Sequence, residues 1–231
     1  MNQVTFQDVY QTTTAAGQFK LGQRGSTPDG REWQYVKAAS ALATSLVAVP
    51  DAVASSDLYS SSTDSQGRIV YLTRAANSLT VGQYEDGIGQ VDAGTGVGQT
   101  FKIRTNDATT FTLYPETALG TALSVSDSDL TYINMNFVDP AAVTSKIQMA
   151  QGIAQATFAA NEYGWLLTNG IGRVIAGEAL AVGGGFTTGD DTAGQVIKNV
   201  ATESAITAQN LGYAVIAGAV DGGCTVMTAI R

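Results

Sequence analysis

Apolar and polar residues alternate along much of this chain with the period of two that sends successive side chains to opposite faces of a strand. The stretch Asn161 to Gly184, NEYGWLLTNGIGRVIAGEALAVGG, carries the pattern most fully. Tyr163, Trp165 and Leu167 share one face. Asn169-Gly170 reads as the tight turn of a hairpin, after which Ile171, Arg173 and Ile175 resume the alternation. Thr109 to Tyr114 groups Phe111 with Leu113, and Leu130 to Val138 groups Ile133, Met135 and Phe137 on the expected core side. Arg68 to Arg74, RIVYLTR, is apolar between its ends and reads as a strand buried on both faces. Further short strands are expected at Trp33 to Lys37, Phe101 to Arg104, Gln195 to Val200, Ala205-Ile206, Leu211 to Val220 and Cys224 to Ile230. Asp221-Gly222-Gly223 joins the last two as a hairpin.

Turn signals recur between these strands. Thr27-Pro28-Asp29-Gly30 is a β-turn in which Pro presets φ and Gly supplies a positive φ. Two stretches leave helix and strand open. Lys37 to Val49 is Ala-rich but contains Thr44, Val47 and Val49. Ala141 to Ala160 suits a short turn or helix before Gly152 and a strand after it. With 26 glycines, the pattern predicts a mainly β fold, an antiparallel sandwich or barrel of many short strands with little helix. The expected divisions are an extended N-terminal arm over 1–26, a β-rich region over 27–139 and a barrel or sandwich region over 140–231, the last alone or in one domain with the strands of 27–50. Asp139-Pro140 marks the boundary. WQYVKAASALATSLVAV echoes YGWLLTNGIGRVIAGEALAVG, in the manner of shared strand grammar rather than a true repeat.

Composition narrows the function. The chain is 44% hydrophobic, enough for a core, but only 14% charged, against about 25% in ordinary globular proteins. Ser, Thr, Gln and Asn take the place of the missing charges. Such a surface suits packing against neighbours, and equally an ordinary neutral exterior. Twelve Lys and Arg against twenty Asp and Glu give a net charge of −8 without a basic run, which excludes a phosphate-backbone partner. The start lacks a basic segment followed by an apolar one, and no apolar stretch approaches a membrane span. The chain is therefore expected to fold in a cytoplasm, with no membrane partner.

Chemistry is sparse. With no histidine, the commonest general base, zinc ligand and nucleophile-activating partner are all missing. Asp190-Asp191 and Asp127-Ser128-Asp129 have oxygens for calcium but not the spacing of a complete calcium loop, and solvated loop acids are the favoured reading. Nothing selects a pair of carboxylates for glycoside hydrolysis. Gly94-x-Gly96-x-Gly98 continues as Gln99-Thr100 instead of Lys-Ser/Thr, so a turn is expected in place of a phosphate loop. Gly170-Ile171-Gly172 lacks the third glycine of a dinucleotide fingerprint. Cys224 alternates with Val226, Thr228 and Ile230 as a small buried hydrophobe. Trp33, Trp165 and the tyrosines are expected in packing more than on a sugar-stacking platform. The chain is thus expected not to be an enzyme, with no catalytic, cofactor-binding or metal residue to nominate and no cofactor.

Three stretches together resemble tailed-bacteriophage virion proteins of the head decoration, or capsid cement, type. They are Asp29 to Ala38 (DGREWQYVKA), Val91 to Arg104 (VDAGTGVGQTFKIR) with the strands to Phe137, and Glu162 to Gly184 with the closing segment from Leu211 to Ile230. The resemblance covers most of residues 17–231 and rests on the order of the stretches, since none is specific alone. It implies a β-rich protein on the capsid surface of a virion, assembled in the host cytoplasm. Its partner would be the major capsid protein, and the protein would form a homo-oligomer, a trimer being favoured, that reinforces contacts between capsid subunits. The N-terminal arm would lie on an adjacent capsomer. The alternative is a phage tail-fibre or receptor-binding module, which would carry exposed aromatic patches.

Overall fold

A computed structural model describes residues 2–15, 18–55, 58–75, 79–140, 150–189, 192–199 and 210–230. Among these the chain is mainly β, as its alternation predicts. The strands are β1 (Asn2–Gln3), β2 (Arg24–Ser26), β3 (Glu32–Ala38), β4 (Val47–Ser55), β5 (Tyr59–Thr63), β6 (Ile69–Arg74), β7 (Ile88–Ala93), β8 (Thr100–Asn106), β9 (Thr110–Leu113), β10 (Asp129–Pro140), β11 (Gly152–Ala154), β12 (Tyr163–Ala176), β13 (Gly185–Thr188), β14 (Val196–Lys198), β15 (Gly212–Ile216) and β16 (Gly222–Ala229). One four-residue helix, α1 (Phe6–Val9), and a 3-10 turn at Pro115–Thr117 complete the described elements. The Ala-rich stretch after Lys37 is therefore strand and corner, with no helix. The expected strand at Ala205-Ile206 and residues 141–149 lie outside the described residues.

The chain divides into two compact units, one of Met1–Pro50 with Met135–Arg231 and one of Asp51–Asn134. Strand β10 runs through Asp139 and ends at Pro140, with residues 141–149 outside the described ones.

In the Asp51–Asn134 unit, antiparallel ladders run β5 to β6, β6 to β9, β9 to β8, β8 to β7 and β7 to β10. Its core is aromatic. Tyr132 meets Tyr84 and Phe111 edge-on, with ring centroids 4.7 and 4.9 Å apart, and Tyr59 stacks on Phe111 at 6.0 Å. Two expectations are corrected here. In β6 only Val70 and Leu72 are fully buried, so the RIVYLTR strand has one core face and not two. In β10 the residues turned inward are Leu130, Tyr132 and Asn134, the set opposite to Ile133 and Met135, although Phe137 is buried. Tyr132 claims the aromatic core. Asn134 tolerates burial because its amide donates to the carbonyls of Gln83 at 2.7 Å and Glu85 at 3.1 Å.

The other unit is built on β12. Its first half pairs antiparallel with β3, from Tyr163↔Lys37 to Asn169↔Glu32, and its second half with β16, from Asn169↔Ala229 to Ala176↔Gly222. Asn169-Gly170 consequently does not turn. Two ladders hold the strand straight through it, and a register shift between Leu167 and Asn169 absorbs the irregularity. Gly170 has φ +111°, and a Cβ there would lie 2.7 Å from the Arg31 side chain, so glycine serves strand crossing rather than a hairpin.

Four corners of one design join strands of this unit. Each corner carries a positive-φ residue, namely Ser45 (φ 72°), Asn161 (68°), Gly183 (78°) and Asp221 (54°). The residue after each of these donates its N–H three residues back: Leu46 to Ala43, Glu162 to Ala159, Gly184 to Ala181 and Gly222 to Ala219. The corners work in pairs. The first two connect β3 to β4 and β11 to β12, and these strands pair crosswise, β3 with β12 and β11 with β4. The last two connect β12 to β13 and β15 to β16, which pair as β12 with β16 and β13 with β15. Strand β12 belongs to both pairs. The echo between WQYVKAASALATSLVAV and YGWLLTNGIGRVIAGEALAVG is thus a genuine structural repeat, of which it caught the first and third copies.

The N-terminal segment does not extend away from the chain. Thr5 caps α1 in a reciprocal box with Asp8, and β1 lies parallel to β2. Val4 and Val9 are buried with Trp33, Tyr35, Trp165 and Leu167. Thr13 then exchanges backbone hydrogen bonds with Tyr163 at 3.0 and 2.8 Å. The arm expected to lie on a neighbour is a strap on its own unit, held because its apolar residues find a core within reach.

Candidate functional site

Strands β12, β15 and β16 show how alternation builds a surface. Their inward residues, Val174, Ala214, Cys224 and Val226 among them, are sealed in the core. Their outward residues fall into rows. Ile171 lies opposite Met227, and Met227 opposite Tyr213, giving a line of apolar side chains across three strands. These are 51%, 43% and 55% exposed. In the next row Arg173 lies opposite Thr225, which pairs in turn with Ile216, 59% exposed. Arg173 is the one charged residue in the three strands. Its guanidinium lies across Gly223, where any Cβ would collide with it.

Ile171 and Met227 continue into a shallow cavity of about 530 Å³ that Asp29, Gly30, Arg31, Asn169 and Gly170 also line. Arg31 is not offered to a ligand there. Its guanidinium packs 5.2 Å from the Trp33 ring centroid and 5.7 and 5.8 Å from those of Phe6 and Tyr10. It also donates to the Tyr10 hydroxyl at 2.8 Å and to Asp29 at 2.6 Å. Burial works against its charge, but the Tyr10 hydroxyl and the Asp29 carboxylate outweigh it and raise the pKa. The Thr27 hydroxyl, 2.6 Å from the Asp29 carboxylate, leads the contacts that lower the Asp29 pKa.

The Asp51–Asn134 unit has its own concavity of about 490 Å³, largely apolar, over the outer face of β10, β7 and β8. Ile133, Ile88 and Lys102 form a row across it. Lys102 sits 4.8 Å above the Tyr114 ring and 3.7 Å from Asp86.

The residues singled out by chemistry fall as follows. Trp33, Trp165 and Tyr35 are buried and cannot stack on a sugar, so packing is their role. The carboxylate of Asp127 accepts from the Thr95 hydroxyl at 3.0 Å, and that of Asp129 from the Leu130 N–H at 2.8 Å. Among the described residues no three His, Cys, Asp or Glu side chains gather to hold a metal ion. Asp190-Asp191 lies outside them. Gly94, Gly96 and Gly98 have φ of +74°, +90° and +85° and form the turn between β7 and β8. Gln99 ties that turn to a second loop, its amide donating to the Gly96 carbonyl at 3.1 Å and accepting from the N–H groups of Gly120 and Thr121 at 2.7 and 3.0 Å. Cys224 is buried, its thiol donating to the Ile216 carbonyl at 2.8 Å, and burial pushes its pKa up. Among the described residues no helix is long and apolar enough to cross a membrane. The apolar row was not singled out from sequence. Ile171 and Met227 look like core residues until the register places them on the outer face.

No protein-family model matches the chain, and no curated protein matches it. Among solved structures, the N base of head fiber gp8.5 of bacteriophage phi29 aligns with 86% of this chain and 94% of its own, at 13% identity and a TM-score of 0.33.

Proposed function

We propose that this chain is a structural protein of a tailed-bacteriophage head, of the decoration or cement type. It docks on the outer surface of the major capsid protein as a homo-oligomer, with a trimer favoured, and reinforces contacts between capsid subunits. The reading starts from the resemblance of the stretches Asp29 to Ala38, Val91 to Arg104 and Glu162 to Gly184 to such proteins. One observation supports it: the outward row Ile171–Met227–Tyr213 with Ile216 beside it, on strands whose single charge is Arg173. Contiguous exposed apolar side chains on a sheet that already has a core on its other face suit burial against another protein. Depletion of charge with Tyr, Met and Arg present is the composition of an interface centre.

The test pairs light scattering with co-sedimentation on expanded phage capsids. The wild-type chain should run as an oligomer, sediment with capsids and raise their melting temperature. Ile171→Asp with Met227→Asp should keep the fold, because both side chains are exposed, and abolish capsid occupancy. A variant that still occupies capsids at wild-type level would overturn the assignment of this face. A wild-type chain that ignores capsids but binds host envelope glycans would replace the decoration reading with the receptor-binding one.

A further inference from the structure

Beneath the N-terminal strap lies a small, partly open polar chamber of about 40 Å³. Gln11, Thr12, Thr13 and Gln18 form its strap side, and Tyr35 and Tyr163 its sheet side. The Thr13–Tyr163 backbone pair closes one wall. The Tyr35 side chain reaches it through a tight aromatic setting, with Trp165 and Phe19 each 5.2 Å away between ring centroids. Tyr35 is 1% exposed, and its hydroxyl has no hydrogen-bond partner in the protein. Burial, with Tyr163 nearby, raises its pKa, so the phenol stays a neutral donor. Asp8, also on the wall, gives one carboxylate oxygen to the N–H and hydroxyl of Thr5 in the capping box.

An orphaned buried hydroxyl is destabilising, because its desolvation goes uncompensated, and folded proteins seldom leave one without a protein or water partner. One water needs roughly 10–15 Å³ of such space and two to four polar neighbours. The chamber offers room for two or three waters and a lining of amides and hydroxyls. An apolar ligand would strand those groups. We propose that the chamber is an internal hydration site, in which two or three ordered waters accept from the Tyr35 hydroxyl and bridge it to the polar side chains of the strap. The strap is then fastened twice, by Val4 and Val9 in the core and by exchangeable water at its polar seam. This inference is independent of capsid binding.

Two measurements test it. A high-resolution crystal structure of the wild-type chain should show ordered water in the chamber, one molecule within hydrogen-bond distance of the Tyr35 hydroxyl. A dry chamber, or one filled by a rotated strap side chain, would overturn the proposal. Tyr35→Phe keeps the ring and removes the donor. If water partners the hydroxyl, the variant should melt at a lower temperature and lose at least one long-lived water by magnetic relaxation dispersion. If the hydroxyl is truly unpartnered, its removal relieves a penalty. An unchanged or higher melting temperature with the same water count would therefore reject the site.

Discussion

Leu42 and Phe158 exchange both of their backbone hydrogen bonds, the Leu42 N–H donating to the Phe158 carbonyl at 3.0 Å and the Phe158 N–H to that of Leu42 at 2.8 Å. The same exchange joins Leu180 and Gly218 at 2.9 and 3.1 Å. Each exchange clasps two corners that share one geometry. The clasps are further tied by N–H groups of the positive-φ residues, Ser45 to Ala154 at 2.7 Å and Asn161 to Ala38 at 2.8 Å in one, Gly183 to Ala214 at 2.8 Å and Asp221 to Ala176 at 2.7 Å in the other. A strand that enters one corner leaves alongside the strand that entered its partner.

Gly183 isolates the backbone term of this design, because no atom would meet a Cβ there and its φ is +78°. Gly183→Val should therefore cost about 1–2 kcal/mol through the left-handed conformation alone. Gly183→Asn should cost much less, since Asn161 occupies the matching place at φ 68° and Asn accepts this region. Urea denaturation of the two variants checks the order, and equal costs would show that the left-handed conformation is not what sets them.

Gly218 stands where the other corners carry Leu42, Phe158 and Leu180. A Cβ at Gly218 would lie 2.7 Å from that of Cys224 and 3.3 Å from that of Ala176. Gly218→Ala should lose about 1–3 kcal/mol by overpacking. The thiol beneath it should resist maleimide in the native protein and react only on unfolding, because its pKa is raised and its Sγ is committed to Ile216. Rapid native-state labelling would contradict this burial.

These corners explain what could and could not be read from the sequence. Period-two alternation found β3, β8, β9, β16 and the two halves of β12, because a half-buried strand writes its two faces into its residues. The turn at Gly30 was equally legible, its φ of +82° matching the glycine expected there. The corners were obscure because their requirement falls on φ and backbone hydrogen bonds, which Ser, Asn, Gly and Asp all meet. Asn169-Gly170 misled for the converse reason: a strong local turn signal yields when two ladders compete for the strand on either side of it. The outward apolar row escaped notice because alternation tells which residues share a face and not which face meets the core.

Phe111 is the natural probe of the Asp51–Asn134 unit. It is fully buried, with ring contacts to Tyr59, Tyr84 and Tyr132 at 6.0, 5.8 and 4.9 Å. Phe111→Ala should destabilise by about 3–5 kcal/mol, the transfer and cavity terms adding. Phe111→Leu should recover part of that loss, since it restores volume without the edge-to-face geometry. Denaturation followed by tyrosine fluorescence resolves the two. A loss below about 1 kcal/mol for the alanine variant would mean that the cluster repacks freely.

Asp107 should make the β8–β9 turn sensitive to acid. Its carboxylate accepts from the N–H groups of Thr109 and Thr110, both at 2.7 Å. Those two bonds lower its pKa, with desolvation opposing them. A folded-state pKa below the unfolded one means that the stabilisation is complete above the unfolded value, near 3.9. It is lost as the pH falls through the folded value. Asp64, held by Arg68, and Asp29 shift in the same direction. Asp107→Asn keeps a neutral acceptor in place and removes the charge. Its melting temperature should therefore lie below wild type at pH 7, and the gap should close as the pH is taken below about 4. A gap that stays constant down to that pH would show that the side chain acts through turn geometry alone, with no contribution from its charge.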